Sequence, residues 1–313
     1  MAIRAADEPT ILTQPDLAAL AAFAHRLADA SGAAIMPHFR AGRAVVDKGG
    51  LKGEAYDPVT EADREAETAI RALIAAEQPD HGILGEEHGA EPGTSNLTWV
   101  IDPIDGTRAF ITGGPQWGTL IALNDGEKPV LGVLDQPFTG ERWIGHDGRT
   151  DFHARGKVER LRTRPCSALG DAVVTSTHPW SYFTPEEQTL FRAIDARARM
   201  TRFGGDCYAY GLLAMGCLDA VVESALKPWD IQALIPIVEG AGGVVTTWSG
   251  GDAQDGGRVV AAHMSQTRCP QGHTDPGPEL DPEALRQRVH HPLDLDRRRD
   301  RPASVVGAAD RRA

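Results

Sequence analysis

The sequence predicts a mixed α+β fold in which helices layer against sheets. Three observations point there. Apolar residues recur at helical spacing between Asp16 and Phe39 and again between Thr60 and Glu77. Strand-like segments with a hairpin signal fill the middle, from Leu97 to Gly145. From Ala172 to Ala262, strands alternate with helices.

In chain order, Asp16 is a plausible N-cap. Leu17, Leu20, Ala24, Leu27 and Ile35 recur at roughly helical spacing behind it. Val45-Val46 reads as a short strand and Lys48-Gly49-Gly50 as a turn. Thr60 is a good N-cap, Asp63 takes the place of a capping-box acid, and Ala66, Ile70, Leu73 and Ile74 form the inner face up to Pro79. Ile83-Leu84 is a short strand leading to Glu86-Glu87, and Ala90 to Asn96 is a loop. After the strand Leu97 to Ile101, Arg108 to Pro115 is a helical turn broken by Gly113-Gly114. Trp117–Asn124 and Pro129–Asp135 form a hairpin around Asp125-Gly126, and Glu141–Gly145 is a third strand. This is an antiparallel meander.

The second half reads as strand Ala172–Ser176 and helix Thr184–Ala198, capped by Thr184 with Pro185 at its first position. Strand Met200–Phe203, helix Asp206–Met215, strand Leu218–Glu223 and helix Ile231–Glu239 follow. Strands Val244–Trp248 and Arg258–Ala262 close this part.

With 313 residues and a net charge of -12, the chain can bury a full core and is a poor partner for nucleic acid or a membrane surface. No apolar run approaches the ~18 residues of a membrane span. Met1 to Thr13 lacks a basic-then-apolar signal pattern. Cys166, Cys207, Cys217 and Cys269 show no paired or metal-binding spacing, which fits a reducing cytoplasm. Residues 14–262 are expected to form the domain. Residues 263–313 differ in composition, with nine Arg and no Lys, and read as a poorly ordered tail, with one possible helix at Pro282–Val289. The abrupt change after Ala262 also fits an out-of-frame C-terminus.

The chemistry concentrates in Trp99-Val-Ile-Asp-Pro-Ile-Asp-Gly-Thr107. Asp102 and Asp105 flank Pro103 at a strand end, and Gly106-Thr107 supplies backbone N–H groups and a hydroxyl. Oxygen ligands beside such a turn suit Mg²⁺ holding a phosphate; a plain Pro-Asp-Gly turn reads the same way. Asp63 and Asp230 each stand at a helix start, where a capping role competes, and Glu86-Glu87 also reads as a solvated acidic turn. Together, carboxylates at these four places are what a site for two or more Mg²⁺ ions requires, and those ions would offset the repulsion between an acidic chain and a phosphate.

These residues resemble the inositol-monophosphatase superfamily of Mg²⁺-dependent phosphatases. The matching motifs are Asp57-Pro-Val-Thr-Glu-Ala-Asp63, Gly85-Glu-Glu87, Trp99 to Thr107, Trp229-Asp-Ile231 and Glu239-Gly-Ala-Gly-Gly243. Gly106 to Pro115, Gly204-Gly-Asp-Cys-Tyr-Ala-Tyr210 and Leu226-Lys-Pro-Trp-Asp230 look most like the histidinol-phosphate phosphatase branch. The resemblance implies a layered αβαβα sandwich, a homodimer, and two to three Mg²⁺ per site. Glu86, Asp102 and the Ile104 carbonyl would hold one metal; Asp102, Asp105 and Asp230 a second; Glu86 would help with a looser third. Asp63 and Thr107 would orient and deprotonate the attacking water. The N–H groups of Gly106 and Thr107 would hold the phosphate.

For the substrate, Asp206 and Glu223 are candidates to meet the ammonium and imidazole of L-histidinol phosphate. Asp206 reads equally well as a helix cap. The alternative substrates are inositol 1-phosphate, another sugar phosphate or a 3′-phosphonucleotide, and a non-catalytic phosphate-binding regulator is the reading from another class. Trp180, Tyr182 and Phe183 read as pocket-lining or, in preference, as packing residues, and His81, His88 and His178 as non-ligands, since a carboxylate-rich site favours Mg²⁺ over Zn²⁺.

Overall fold

The computed structural model of the protein describes residues 14–41, 46–47, 58–59 and 61–263. Helix α1 (Gln14–Ile35) buries Leu20, Phe23, Ala24, Leu27 and Ala28. A two-residue antiparallel ladder joins β1 (Val46–Asp47) to β2 (Pro58–Val59). Helix α2 (Glu61–Glu77) buries Ala62, Ala66, Ile70 and Ile74, one stripe at four-residue spacing. The expected cap Thr60, the turn Lys48–Gly50 and the segment before Pro58 lie outside the described residues, as do Met1–Thr13, Cys269 and all of the expected tail except His263.

Eight strands make the first sheet: β3 (Gly82–Gly85), β4 (Gly89–Glu91), β5 (Thr98–Asp105), β6 (Gly118–Asn124), β7 (Pro129–Gln136), β8 (Glu141–His146), β9 (Arg149–Ala154) and β10 (Lys157–Arg160). Their order is β10-β9-β8-β7-β6-β5-β3-β4. From β5 to β10 every strand pairs antiparallel with the next, so the expected meander is present and longer than expected. The sequence reading missed β4, β9 and β10. β4 and β10 are short edge strands whose residues are all exposed, so no apolar alternation marks them. The expected loop Ala90–Asn96 therefore begins inside a strand.

Five strands make the second sheet: β11 (Val173–Ser176), β12 (Met200–Phe203), β13 (Ala220–Leu226), β14 (Gly243–Thr247) and β15 (Gly257–His263), in the order β12-β11-β13-β15-β14. His263 pairs with Gly243, so the sheet takes in the first residue assigned to the tail. The helices of this half, after the one-turn α3 (Thr107–Ile111), are α4 (Pro179–Tyr182), α5 (Pro185–Asp195), α6 (Asp206–Ala214), α7 (Pro228–Ile231) and α8 (Leu234–Gly240). The single helix expected over Ile231–Glu239 is two pieces. Pro236 has no N–H to give the carbonyl of Gln232, so a continuous ladder cannot pass through it.

Strand alternation builds the layers. Trp99, Ile101, Ile121, Leu123, Leu131 and Val133 face α1 and α2. The intervening Val100, Leu120, Ala122 and Leu134 face α6 and α8, which also pack on Val221, Val259 and Ala261 of the second sheet. Beyond that sheet, α5 is tied to it by Glu187, which accepts from Ser224 Oγ at 3.1 Å and from Arg258. Thr184 and Glu187 form a reciprocal capping box at the start of α5. The result is a helix–sheet–helix–sheet–helix stack within the α+β class. The middle layer sits directly on backbone: a Cβ at Gly132 would lie 1.9 Å from the Ala233 carbonyl oxygen, and one at Gly145 2.4 Å from Pro236. Those glycines let α7 and α8, and with them Asp230, approach β5. Among the described residues no helix is long and apolar enough to cross a membrane.

Candidate active site

The site forms where β5 stops being a regular strand. Pairing with β6 slips between Asp102 and Asp105, because Pro103 carries no N–H for the ladder. The Pro103 carbonyl instead accepts from Thr119 Oγ1 at 2.8 Å, and that hydroxyl is paired with Ser31 Oγ of α1 at 2.8 Å. The Ile104 N–H turns back to Asp102 Oδ1 at 3.0 Å. The bulge therefore aims two carboxylates, three positions apart, toward one side.

Asp230 reaches the same place from α7. Its carboxylate accepts the Lys227 N–H at 2.7 Å, so the capping reading and the site reading both hold for one side chain. One carboxylate oxygen from each of Asp102, Asp105 and Asp230 lies within 4.8 Å of the others. Asp105 also accepts the Cys207 N–H at 2.6 Å, which ties the start of α6 to the cluster. Burial, and then the charges of Glu86, Asp105, Asp230 and Asp63, push the Asp102 carboxyl well up. Burial and then Asp206 bring Asp105 to about 7, and burial and then Asp105 raise Asp230. A set of oxygen donors, one buried and two half-buried, that repel one another is suited to a hard divalent cation, which supplies the missing positive charge.

Glu86 and Asp63 flank this trio. Both raise Asp102, and Glu86 also raises Asp105 and Asp230, yet neither is among the three acids whose oxygens converge within 4.8 Å. Glu87 turns instead to Arg64, at 3.7 Å. The Ile104 carbonyl accepts from Thr107 Oγ1 at 3.1 Å. Gly106 has φ of 85°, and a Cβ there would meet the Gln116 carbonyl at 2.7 Å, so this turn position needs glycine.

A cavity of about 130 Å³ opens beside the cluster, lined by Asp105, Thr177, Tyr182, Asp206, Glu223 and Asp230 among others. Glu223 is 3 % exposed and accepts both the N–H and the hydroxyl of Thr177, at 2.7 and 2.9 Å. Burial raises it to about 8. The strand does not end at Glu223 as expected; β13 continues to Leu226 through a register shift, with Ala225 at φ of 67°. Asp206 stands at φ of 43° and gives its N–H to Thr177 Oγ1 at 3.1 Å; burial and then Glu223 raise it to about 7. Tyr182 departs from the packing role expected for it: its ring lines the cavity, with the Arg108 guanidinium 4.9 Å from its centre. Phe183 is core, and Trp180 is 41 % exposed against Arg192. The reading of sequence motifs also missed Thr177, whose three hydrogen bonds fix Glu223 and Asp206. A lone Thr after a strand carries no signal of that kind. His81 accepts from Trp99 Nε1 at 3.1 Å, and no histidine joins the carboxylate cluster among the described residues. Cys166, Cys207 and Cys217 are free thiols.

The sequence model of the inositol monophosphatase family matches residues 16–275. The chain is 43% identical over 246 residues to the bifunctional phosphatase IMPL2, chloroplastic, of Arabidopsis thaliana, covering 78% of this chain and 68% of that protein. It is 37% identical to the histidinol-phosphatase of Chlorobaculum parvum, covering 67% of this chain and 81% of that one. Among solved structures, an inositol monophosphatase from Zymomonas mobilis aligns with a TM-score of 0.69 at 44% identity, over 78% of this chain and 92% of that one. A match along most of its length, to a family whose relatives are phosphatases, shows that the chain belongs to the inositol monophosphatase family and is a phosphomonoester hydrolase.

Proposed function

We propose that this hydrolase is a Mg²⁺-dependent histidinol-phosphate phosphatase, converting L-histidinol phosphate and water to L-histidinol and phosphate in histidine biosynthesis, and that it works as a homodimer. One observation carries the substrate assignment: two carboxylates, the buried Glu223 and the half-buried Asp206, line the cavity next to the acidic cluster. A substrate bearing an ammonium and an imidazole alongside its phosphate offers them opposite charge; a sugar phosphate does not. The relatives named histidinol-phosphatase support the same reading. The second reading is an inositol 1-phosphate phosphatase, or one for a related sugar or nucleotide phosphate, and the solved inositol monophosphatase at 44% identity favours it.

In this reading Asp102, Asp105 and Asp230, with Glu86 and the Ile104 carbonyl, hold the metal ions. Bound Mg²⁺ supplies Lewis-acid polarisation of the phosphate and of the attacking water. Asp63 and Thr107 orient that water and take its proton. The N–H groups of Gly106 and Thr107 hold phosphate oxygens in line. Water oxygen bonds to phosphorus as the ester P–O bond breaks, and a proton returned to the departing alkoxide completes L-histidinol. Asp206 and Glu223 hold the amino alcohol and imidazole meanwhile.

The product tests the cavity directly. With p-nitrophenyl phosphate as a generic substrate, L-histidinol is expected to inhibit competitively, roughly 10- to 100-fold more strongly than myo-inositol, the value of one charge-assisted hydrogen bond. Stronger inhibition by myo-inositol would favour the second reading.

A further inference from the structure

The acidic cluster leaves open how Glu86, on a turn after a short strand, is held in register with Asp63 on a helix. Glu67 stands one helical turn after Asp63 on α2, and both are buried, at 0% and 2% exposure. One Glu67 oxygen accepts the Glu87 N–H at 2.8 Å. The other accepts the His88 N–H at 3.2 Å and Arg71 Nε at 2.8 Å. Arg71 also donates to the Gly89 carbonyl and reaches Glu91 at 3.2 Å. A single carboxylate–guanidinium pair, its carboxylate buried and its guanidinium partly so, thus grips the whole turn that follows Glu86.

The grip is close. A Cβ on Gly85 would sit 2.0 Å from Glu67 Oε1, so the turn backbone lies directly against this carboxylate. On the other side, the Glu86 N–H donates to the Ile101 carbonyl at 3.2 Å, next to Asp102. Glu86 is therefore fixed between β5 and α2, while Glu87 is drawn off to Arg64. The charge of Glu67 is answered by Arg71 and two backbone N–H groups, which leaves it a holder and not a ligand.

We propose that Glu67, charge-paired with Arg71, is a positioning residue that locks Glu86 in register with Asp63 and Asp102 and thereby sets the affinity of the site for its divalent cation. The inference rests on the reading of the acidic cluster as a metal site. Partners of this kind behind a ligand typically alter metal affinity by about 10- to 100-fold.

The test is direct metal binding to the full chain, with Mn²⁺ as a spectroscopic probe titrated by electron paramagnetic resonance, beside the Mg²⁺ dependence of activity. Glu67→Gln keeps shape and loses charge; Arg71→Gln removes the charge partner and the contact to Gly89. Both are expected to weaken Mn²⁺ binding and raise the Mg²⁺ needed for half-maximal rate by about tenfold or more, with kcat at saturating Mg²⁺ nearly unchanged. Wild-type Mn²⁺ affinity in folded variants would overturn the inference, as would a fall in melting temperature and kcat with no change in metal dependence. If Glu67→Gln does not fold, Arg71→Gln decides alone. A wild-type chain that binds no Mn²⁺ would remove the metal-site reading, and this inference with it.

Discussion

Asp230→Asn is expected to lower kcat/KM by about 10³-fold or more while making the metal-free protein more stable. The two effects come from one side chain with two contacts. Its oxygen accepts the Lys227 N–H at 2.7 Å, and an asparagine oxygen can do the same, so α7 keeps its start. What the substitution removes is a half-buried negative charge within 4.8 Å of the Asp102 and Asp105 oxygens. Without a cation those acids repel one another, so relieving one charge is expected to stabilise the fold by about 1–3 kcal/mol, the ordinary scale of a single substitution. With a cation, the same charge is part of its coordination, and its loss removes electrostatic support for the phosphoryl group in the transition state. Urea denaturation in chelator and steady-state kinetics in Mg²⁺ check both halves. A variant less stable than wild type in chelator would contradict the view that the cluster is built around an absent positive charge.

Neutralising Asp206 and Glu223 together is expected to cost about 10²- to 10⁴-fold in kcat/KM for L-histidinol phosphate, at roughly 1.5–3 kcal/mol for each charge-assisted hydrogen bond. For p-nitrophenyl phosphate the change should stay within a few-fold. Asparagine is the right replacement at position 206, since the backbone there has φ of 43° and Asn tolerates that region. Glutamine at 223 retains an oxygen for the Thr177 N–H and hydroxyl. Both substitutions preserve the turn that Thr177 organises, so a selective loss reports on charge. An equal loss on both esters would mean that these acids serve the phosphate end, and the substrate reading would fall.

The parts of this architecture that were legible from residues alone are those with a local signature. The apolar stripe of α2, the apolar runs of β5 to β8, and the Thr184 N-cap are all set by neighbours within a few positions. The acidic turn was visible because Asp102, Pro103, Asp105 and Gly106 are adjacent in sequence, and its resemblance to a known family brought Asp230, distant in the chain, to the same place. Edge strands β4 and β10 were not legible, because ladder hydrogen bonds hold them and no apolar pattern does. Pro236 was in plain view but was not weighed against the helix pattern around it. Thr177, Tyr182 and Glu67 act through contacts between distant positions, as in Glu67 to Glu87, Thr177 to Glu223 and Tyr182 to Arg108. Only the folded arrangement brings those pairs together. For Glu67 a faint signal existed: its four-residue spacing from both Asp63 and Arg71 places three charged residues on one helix face.

In the proposed function, two extra carboxylates direct a family site for phosphomonoesters to an amine-bearing substrate. The most direct test is phosphate release by the purified protein in Mg²⁺, comparing L-histidinol phosphate with inositol 1-phosphate, fructose 1,6-bisphosphate and 3′-phosphoadenosine 5′-phosphate. The account predicts a kcat/KM for L-histidinol phosphate about two orders of magnitude above the others, since a cavity built to pair charge discriminates against substrates that leave it unpaired. A kcat/KM for inositol 1-phosphate equal to or above that for L-histidinol phosphate would contradict it.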